Sequence, residues 1–249
     1  MKLFRYAERA WCLTEWRALR LRRENCSLCG FSWLIKLGNN EHAIRCMRCG
    51  ANPVAMSLVE VLLQRVPGIG ARTVYELSSR GPLFRFLQRH AGKLVFSEFF
   101  EDIPRGSLKD GVPSQDVRNL TWPDQFFDLC TSTDVFEHVP DDARAFAEMH
   151  RVLKPDGILA FTVPIQKQDK TLERAIVVEN HVEHLLPAEY HDDHISGLGQ
   201  VLCFRNYGMD ILNRLEDQGF TNAEIIAPCA SRCWGYGRPV VVACRARSS

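Results

Sequence analysis

The sequence of 249 residues has no apolar run long enough to cross a bilayer, which argues against a membrane-spanning helix. Its first residues are interrupted by charge and lack the apolar stretch of a secretory signal, so we expect a cytoplasmic protein with no membrane partner. The formal net charge is only +1, although residues 1–65 carry +6 and the remainder −5. The basic first quarter could contact an anionic partner.

The ten cysteines do not indicate a disulfide scaffold, because the chain is too long and too rich in core residues for one. Four of them form two C-x-x-C pairs, Cys26–Cys29 and Cys46–Cys49, separated by sixteen residues, and a glycine follows each pair. Four thiolates at this spacing suit a tetrahedral Zn²⁺ and leave no open position for catalysis. We therefore predict a structural zinc ribbon over residues 22–52, with a hairpin turn at residues 38–40.

The ribbon could dock against the rest of the chain, present a surface to a protein partner or bind nucleic acid, and its sequence does not choose among these. We divide the rest into an N-terminal helical segment over residues 1–21, a connecting helix and linker over residues 53–70, and a body over residues 71–249. The linker begins after a strongly apolar helix, 53–65, and ends in the Pro-Gly-Ile-Gly run of residues 67–70.

The body alternates short β-branched runs with helical periodicity, which is typical of a mostly parallel sheet covered on both faces. The predicted strands cover residues 73–77, 93–98, 126–132, 157–163, 222–227 and 239–245. The predicted helices cover residues 82–90, about 141–153 and 207–219. In such sheets, ligands bind beyond the carboxyl ends of the strands, and acidic residues follow four of the β-type segments: Glu76, Glu98, Asp116 and Asp134.

The stretch from Phe127 to Gly157, FDLCTSTDVFEHVPDDARAFAEMHRVLKPDG, resembles the class I S-adenosylmethionine-dependent methyltransferases, and the likeness continues into Phe161–Pro164. The resemblance covers roughly residues 72–245. It implies a Rossmann-like α/β fold with a mostly parallel sheet, an antiparallel last strand, and S-adenosylmethionine as cofactor. Together with the upstream ribbon, it is also similar to methyltransferases found among bacterial sugar and polysaccharide genes.

The resemblance implies where the cofactor would bind. Glu98 would accept both ribose hydroxyls, as an acidic residue does in dinucleotide folds. Asp116 would accept from the adenine amino group, with Val117 beside it. The methionyl end would lie against the loop Glu76, Ser78, Ser79, Arg80 and Gly81, and the reactive end beside Thr133 and Asp134.

Two departures from the family pattern stand out. The first loop keeps only Gly81 where the family has E/D-x-G-x-G-x-G, so Ser78, Ser79 and Arg80 would have to supply donors instead. Between Glu98 and Asp116, the helix-breaking residues Pro104, Gly106 and Gly111 leave little room for the helix that the family usually has there.

An oxygen acceptor needs a base, usually His, Asp or Glu. His138 is one candidate, although it could equally serve only in packing. Asp134, His191 and His194 are the others. Four histidines lie within residues 181–194. We interpret them as a polar surface lid rather than a second metal site, because no H-E-x-x-H spacing occurs.

We therefore expect methyl transfer to an O or N atom of a small molecule or sugar. An RNA acceptor is a less favoured alternative, since the body is net acidic and lacks interleaved aromatic and basic residues. The other alternative is a non-catalytic interaction protein. The altered first loop supports it, and the intact Glu98, Asp116 and Asp134 argue against it.

Overall fold

The computed structural model describes residues 16–179, 181–193 and 199–247. The helices in these ranges are α1 Pro53–Arg65, α2 Gly81–His90, α3 Asp142–Val152 and α4 Ile211–Glu216. The strands of the main sheet are β4 Thr73–Glu76, β5 Lys93–Phe96, β8 Phe127–Thr133, β9 Leu153–Thr162, β16 Phe220–Ile226 and β17 Val240–Arg245. The shorter strands are β1 Arg20–Arg23, β2 Trp33–Lys36, β3 Ile44–Cys46, β6 Leu108–Lys109, β7 Val112–Pro113, β10 Leu172–Glu173, β11 Ala175–Val178, β12 His181–His184, β13 Tyr190–Asp193, β14 Gly199–Leu202 and β15 Arg205–Asn206.

The main sheet has six strands in the order β16-β17-β9-β8-β4-β5. Strands β5, β4, β8 and β9 are mutually parallel, whereas β17 is antiparallel to both of its neighbours. The central strands are buried over most of their length, as expected for a sheet covered on both faces. The predicted fold class, including the antiparallel last strand, is confirmed.

Helix α1 is capped at its N-terminus and is largely apolar. The Asn52 side chain accepts a hydrogen bond from the Ala55 amide, and Pro53 occupies the first turn, where no amide hydrogen is needed. Nine of its thirteen residues are buried, because one side of the helix faces the sheet and another faces the ribbon. The ribbon, α1 and one face of the sheet therefore share a continuous hydrophobic core.

The ribbon is a three-stranded antiparallel sheet in the order β1-β2-β3. Strand β1, Arg20–Arg23, pairs with Trp33–Lys36. The predicted N-terminal helical segment over residues 1–21 is thus wrong at its end, because the backbone of Arg20 and Leu21 bonds to the ribbon. A three-residue turn, Trp16–Ala18, precedes β1, and residues 1–15 lie outside the described ranges.

Two regions depart from a simple alternation of strands and helices. Residues 97–126, all of which are described, contain the small hairpin β6-β7 and no helix, as the glycines and proline there predicted. The described residues between 172 and 206 include three two-stranded sheets, β10-β15, β11-β12 and β13-β14. The helix predicted over residues 207–219 is shorter and is limited to Ile211–Glu216. Among the described residues, no helix is both long and apolar enough to span a bilayer.

Candidate functional site

A cavity of about 1040 Å³ opens at the carboxyl edge of the sheet, where β4 and β8 end. The predicted site residues that line it are Glu76, Arg80, Gly81, Thr133, Asp134, His138 and His191. The predicted residues that lie outside this lining are Ser78, Ser79, Glu98, Asp116 and Val117, and His194 falls outside the described residues. The structure thus brings the loop after β4, the end of β8 and the β13-β14 hairpin to one cavity.

Glu76 is the last residue of β4 and is fully buried. Its carboxylate accepts a hydrogen bond from the hydroxyl of Thr131 on the neighbouring strand. Burial raises the pKa of Glu76 to about 8, and the nearby charge of Glu98 adds to the effect while the Thr131 bond opposes it. Glu76 is therefore largely protonated at neutral pH, and a cation brought into the cavity would favour its ionised form.

Glu98 follows β5 and holds the loop that takes the place of the usual glycine-rich turn. Its Oε1 accepts hydrogen bonds from the Ser79 amide (2.8 Å), the Ser79 hydroxyl (2.8 Å) and the Ser78 hydroxyl (3.3 Å). The Arg80 guanidinium lies 3.8 Å from the same oxygen. The two serines therefore order this loop by bonding to the carboxylate that was predicted to bind ribose.

Asp116 lies on the loop beyond β7, where its carboxylate is engaged by Arg118. The guanidinium of Arg118 donates to both oxygens, and its amide donates to Oδ1. Burial works to raise the pKa of Asp116, but Arg118 outweighs it and holds the pKa below its ordinary value. Val117 is partly buried and packs against a second group of buried hydrophobic residues, which includes Leu120 and Phe127. Asp116 is thus an ionised acceptor already paired with a neighbouring cation.

Asp134 follows β8 with φ = 51°, a left-handed conformation uncommon for a non-glycine residue. The amide of Asp134 donates to the Thr162 carbonyl, and its Oδ1 accepts from the Thr162 hydroxyl, so β9 holds the turn in place. Burial raises its pKa, and the guanidinium of Arg238, 3.7 Å away, opposes this rise. Arg238 also donates to Glu41 of the ribbon at 2.7 Å.

His138 and His191 were predicted separately, and the structure places them in contact. His138 Nδ1 lies 2.8 Å from the Leu202 carbonyl oxygen, so this nitrogen carries a proton. His138 Nε2 is 3.3 Å from His191 Nδ1, and His191 Nε2 is 3.2 Å from a Glu189 oxygen. Hydrogen bonds at all three positions require three N–H protons on two rings. The pair therefore satisfies its contacts only when it carries one positive charge opposite Glu189.

Glu137 lies beside this pair and is almost completely buried, with no hydrogen-bond partner for either carboxylate oxygen among the described residues. Burial raises its pKa well above the ordinary value, and the charge of Asp134 adds to the shift. One ligand atom each from Glu137, His138 and His191 lies within 4.8 Å of the other two. Such a group can share protons or hold a divalent cation.

The turn Phe136–His138, which presents Glu137 and His138, is fixed by a residue that the sequence analysis missed. Arg205 is 2% exposed and donates to the backbone carbonyls of Phe136 (3.2 Å), Val139 (2.5 Å) and Pro140 (2.7 Å). Its charge is balanced by Glu173 at 3.1 Å and Asp142 at 3.6 Å. No local motif marks Arg205, because its partners are more than thirty residues away in sequence.

The four predicted zinc ligands converge in the ribbon. Their sulfur atoms all lie within 4.8 Å of one another, with Cys26 to Cys49 at 3.7 Å and Cys29 to Cys46 at 3.6 Å. These separations far exceed a disulfide bond and match the roughly 3.8 Å edge of a tetrahedron with ~2.3 Å Zn–S bonds. The donor set therefore fits Zn²⁺ and is closed to further ligands.

The ribbon also supplies one wall of the cavity, which the sequence did not predict. The lining residues from the ribbon are Glu41, His42, Arg45 and Gly50, and Arg238 joins them from the loop before β17. The packing of the ribbon on α1, together with ion pairs such as Arg238 to Glu41, holds these residues at the sheet edge.

Known proteins similar to this chain share its body. A family model described as a methyltransferase domain matches residues 104–161. The ubiquinone biosynthesis O-methyltransferase of Coxiella burnetii is 29% identical over 149 residues, covering 57% of this chain and 62% of that protein. The protein of the same name from Pseudomonas syringae is 36% identical over 91 residues, covering 34% of this chain and 38% of that one. The match thus spans less than two thirds of these curated relatives.

Solved structures show the same fold. A structure from Listeria monocytogenes described as an S-adenosylmethionine-dependent methyltransferase aligns with a TM-score of 0.51 and 15% identity, covering 78% of this chain and all of that one. Another, from Clostridium acetobutylicum, aligns with a TM-score of 0.50 and 14% identity, covering 78% and 92%. The body of this chain has the Rossmann-like fold of S-adenosylmethionine-dependent methyltransferases, and residues 104–161 match the methyltransferase family model.

The family match runs from the loop before β6 to β9. It includes Asp116, Asp134 and His138 but not Glu76 or Glu98. The ribbon lies outside the matched residues as well. The match therefore includes the end of β8 and the turn that presents Glu137 and His138, but not β4 or β5.

Proposed function

We propose that this protein transfers a methyl group from S-adenosylmethionine to an oxygen atom of a small molecule or sugar. The observation that carries the proposal is the meeting of Glu76 and the His138–His191 pair at one cavity of the methyltransferase domain. The curated relatives are named O-methyltransferases, which favours an oxygen over a nitrogen acceptor. Free cysteines throughout the described residues suit a reducing, cytoplasmic location.

Several residues of this chain would hold the cofactor, which supplies an electrophilic methyl group on a sulfonium when it is bound. Glu76 and the N-terminus of α2 at Gly81 would hold the amino-acid end, with Arg80 beside them. Glu98 would accept from the ribose hydroxyls while it orders Ser78 and Ser79. In our proposal Asp116 borders the adenine. The Asp116 carboxylate would accept hydrogen bonds both from Arg118 and from the adenine amino group.

The histidine pair would supply the base. A neutral pair lacks the third N–H proton that its hydrogen bonds require, so Nε2 of His138 is suited to take a proton from an acceptor hydroxyl. The proton completes the network, and Glu189 opposite His191 stabilises the resulting charge. The deprotonated acceptor oxygen would then be the nucleophile for the methyl group, whose bond to sulfur would break as the bond to oxygen forms.

We also propose that Cys26, Cys29, Cys46 and Cys49 bind a structural Zn²⁺, because their sulfur geometry fits the ion. The ion would stabilise the ribbon and the cavity wall that the ribbon forms.

Calorimetric titration of the zinc-replete protein with S-adenosylmethionine and S-adenosylhomocysteine tests the proposed function. We expect micromolar binding that is weakened at least tenfold in Glu98→Ala. The absence of binding by both ligands would contradict the proposal and favour a non-catalytic protein. Turnover is then measured on phenolic and sugar hydroxyl acceptors, with and without EDTA. Activity that survives EDTA supports the histidine base, whereas loss restored by Mg²⁺, with the ribbon zinc shown by metal analysis to be retained, would assign Glu137, His138 and His191 to a metal.

A further inference from the structure

The ribbon places a guanidinium at the cavity. Arg45 is the middle residue of the short strand β3, between the buried Ile44 and Cys46. Because side chains alternate along a strand, Ile44 and Cys46 point into the ribbon core and Arg45 points to the opposite face. That face lines the cavity of about 1040 Å³.

The contacts of Arg45 differ from those of Arg238 and Arg80, which also line the cavity. Arg238 is engaged by Glu41 at 2.7 Å and Asp134 at 3.7 Å, and Arg80 lies 3.8 Å from Glu98. Arg45 donates to its neighbouring Ile44 carbonyl at 2.9 Å and forms no ion pair with any carboxylate in the described ranges. It is also partly buried, so much of its charge faces the cavity rather than bulk water.

The remaining charges of the cavity do not neutralise Arg45. Arg85 also lines the cavity, where its guanidinium donates to the Cys49 carbonyl at 2.9 Å. Glu137 also lines the cavity, where burial raises its pKa well above the ordinary value, which favours the uncharged acid. Arg45 thus keeps a charge at the cavity that no carboxylate in the described ranges pairs, and the proposed base His138 lines the same cavity.

We infer that Arg45 binds an oxyanion group, a carboxylate or phosphate, on the methyl acceptor, and that the ribbon is thereby part of the acceptor site. A planar guanidinium donates two parallel hydrogen bonds to either group, so one residue can both attract and orient the acceptor. The inference rests on the proposed function, because it takes the part of the cavity that Asp134 and His138 line as the place where the methyl acceptor binds.

The test uses the full-length, zinc-replete chain saturated with S-adenosylhomocysteine, so that the cofactor's own carboxylate site is filled. Inorganic phosphate and benzoate are titrated separately by calorimetry. We expect saturable binding of at least one anion, and the stronger of the two identifies the acceptor group. Arg45→Gln should weaken this binding by about tenfold or more, the usual effect of losing a charged hydrogen-bond pair.

Arg48→Gln is the matched control, because Arg48 lies three residues away on the ribbon, is exposed and does not line the cavity. It should change anion affinity less than twofold. Arg45→Lys keeps the charge without the planar fork and should bind several-fold more weakly than the native protein. If Arg45→Gln loses zinc, Arg45→Lys is compared with the native protein instead. Equal anion affinity in the native protein and the Arg45 variants, or no binding of either anion by the native protein, overturns the inference.

The S-adenosylhomocysteine titration separates this inference from the proposed function. Tight S-adenosylhomocysteine binding without anion binding would reject the role of Arg45 alone. Anion binding that depends on Arg45 but occurs without S-adenosylhomocysteine binding would reject methyl transfer and keep the anion site.

Discussion

Cofactor binding should depend on pH through Glu76. The folded protein raises the pKa of this carboxyl to about 8, from an ordinary value of 4.5, mainly by burial. The cationic cofactor interacts favourably with the ionised form, so binding must release a proton wherever Glu76 is protonated. About half of Glu76 is ionised at pH 8 and about one part in a hundred at pH 6. Affinity for S-adenosylmethionine should therefore be roughly fiftyfold lower at pH 6 than at pH 8.

The assay is calorimetric titration at several pH values with native protein and Glu76→Gln. The glutamine resembles the protonated carboxyl in shape, so the variant should fold, bind weakly at pH 8 and lack the Glu76-dependent rise in affinity. Taking the ratio of native to variant affinity cancels the titration of the ligand's own amino group. Glu137→Gln is a control, because Glu137 is also buried at the cavity, yet its loss should leave the pH slope in place. A ratio that does not change between pH 6 and pH 8 would refute the reasoning.

Three further predictions concern the ribbon, the base and the buried arginine. Cys26→Ser should release zinc, as measured by metal analysis, and a fall of ~3 kcal/mol in the free energy of unfolding would lower Tm by about 6–12 °C. The exposed Cys229→Ser should neither release zinc nor lower Tm. Full zinc retention in Cys26→Ser would reject the site. His138→Gln should lower kcat by about 10²–10⁴-fold with the Kd for S-adenosylhomocysteine unchanged, and an unchanged kcat would exclude it as the base. Arg205→Met should cost about 3–5 kcal/mol in denaturant unfolding, because it leaves the carbonyls of Phe136, Val139 and Pro140 without their donor and removes one of the two cations beside the buried Asp142. The exposed Arg247→Met should cost less than about 1 kcal/mol, and equal losses in the two variants would contradict the buried role.

Much of the fold could be predicted because its signals are local. The helix from Pro53 to Arg65 follows from a capping Asn52 and an apolar run, and its observed bounds equal the predicted ones. The central strands are β-branched or apolar runs, and their predicted bounds differ from the observed ones by a few residues. Strand β1 was missed because Arg20–Arg23 is charged and alternates weakly, and it forms a strand only by pairing with β2.

The candidate site was predictable only in part. Glu76, Glu98 and Asp134 could be chosen because carboxyl ends of parallel strands meet at one edge. The hydrogen-bond partners of the site carboxylates could not be predicted. Arg118, Ser79 and Thr131 contact these carboxylates through side-chain geometry that the spacing of residues in the sequence does not specify. His138 and His191 were both predicted, but their contact depends on how a hairpin fifty residues downstream folds back.

By itself, the sequence determined the α/β alternation, the four-cysteine spacing and the methyltransferase resemblance, because each is a pattern of residues that lie close together in the chain. Only the tertiary structure decided that the ribbon is a wall of the cavity rather than a separate appendage. Its apolar side packs on α1, and this contact carries Arg45 to the edge of a sheet whose first strand begins twenty-eight residues later in the chain. Such long-range packing depends on the shapes of several buried surfaces at once, and no local pattern encodes it.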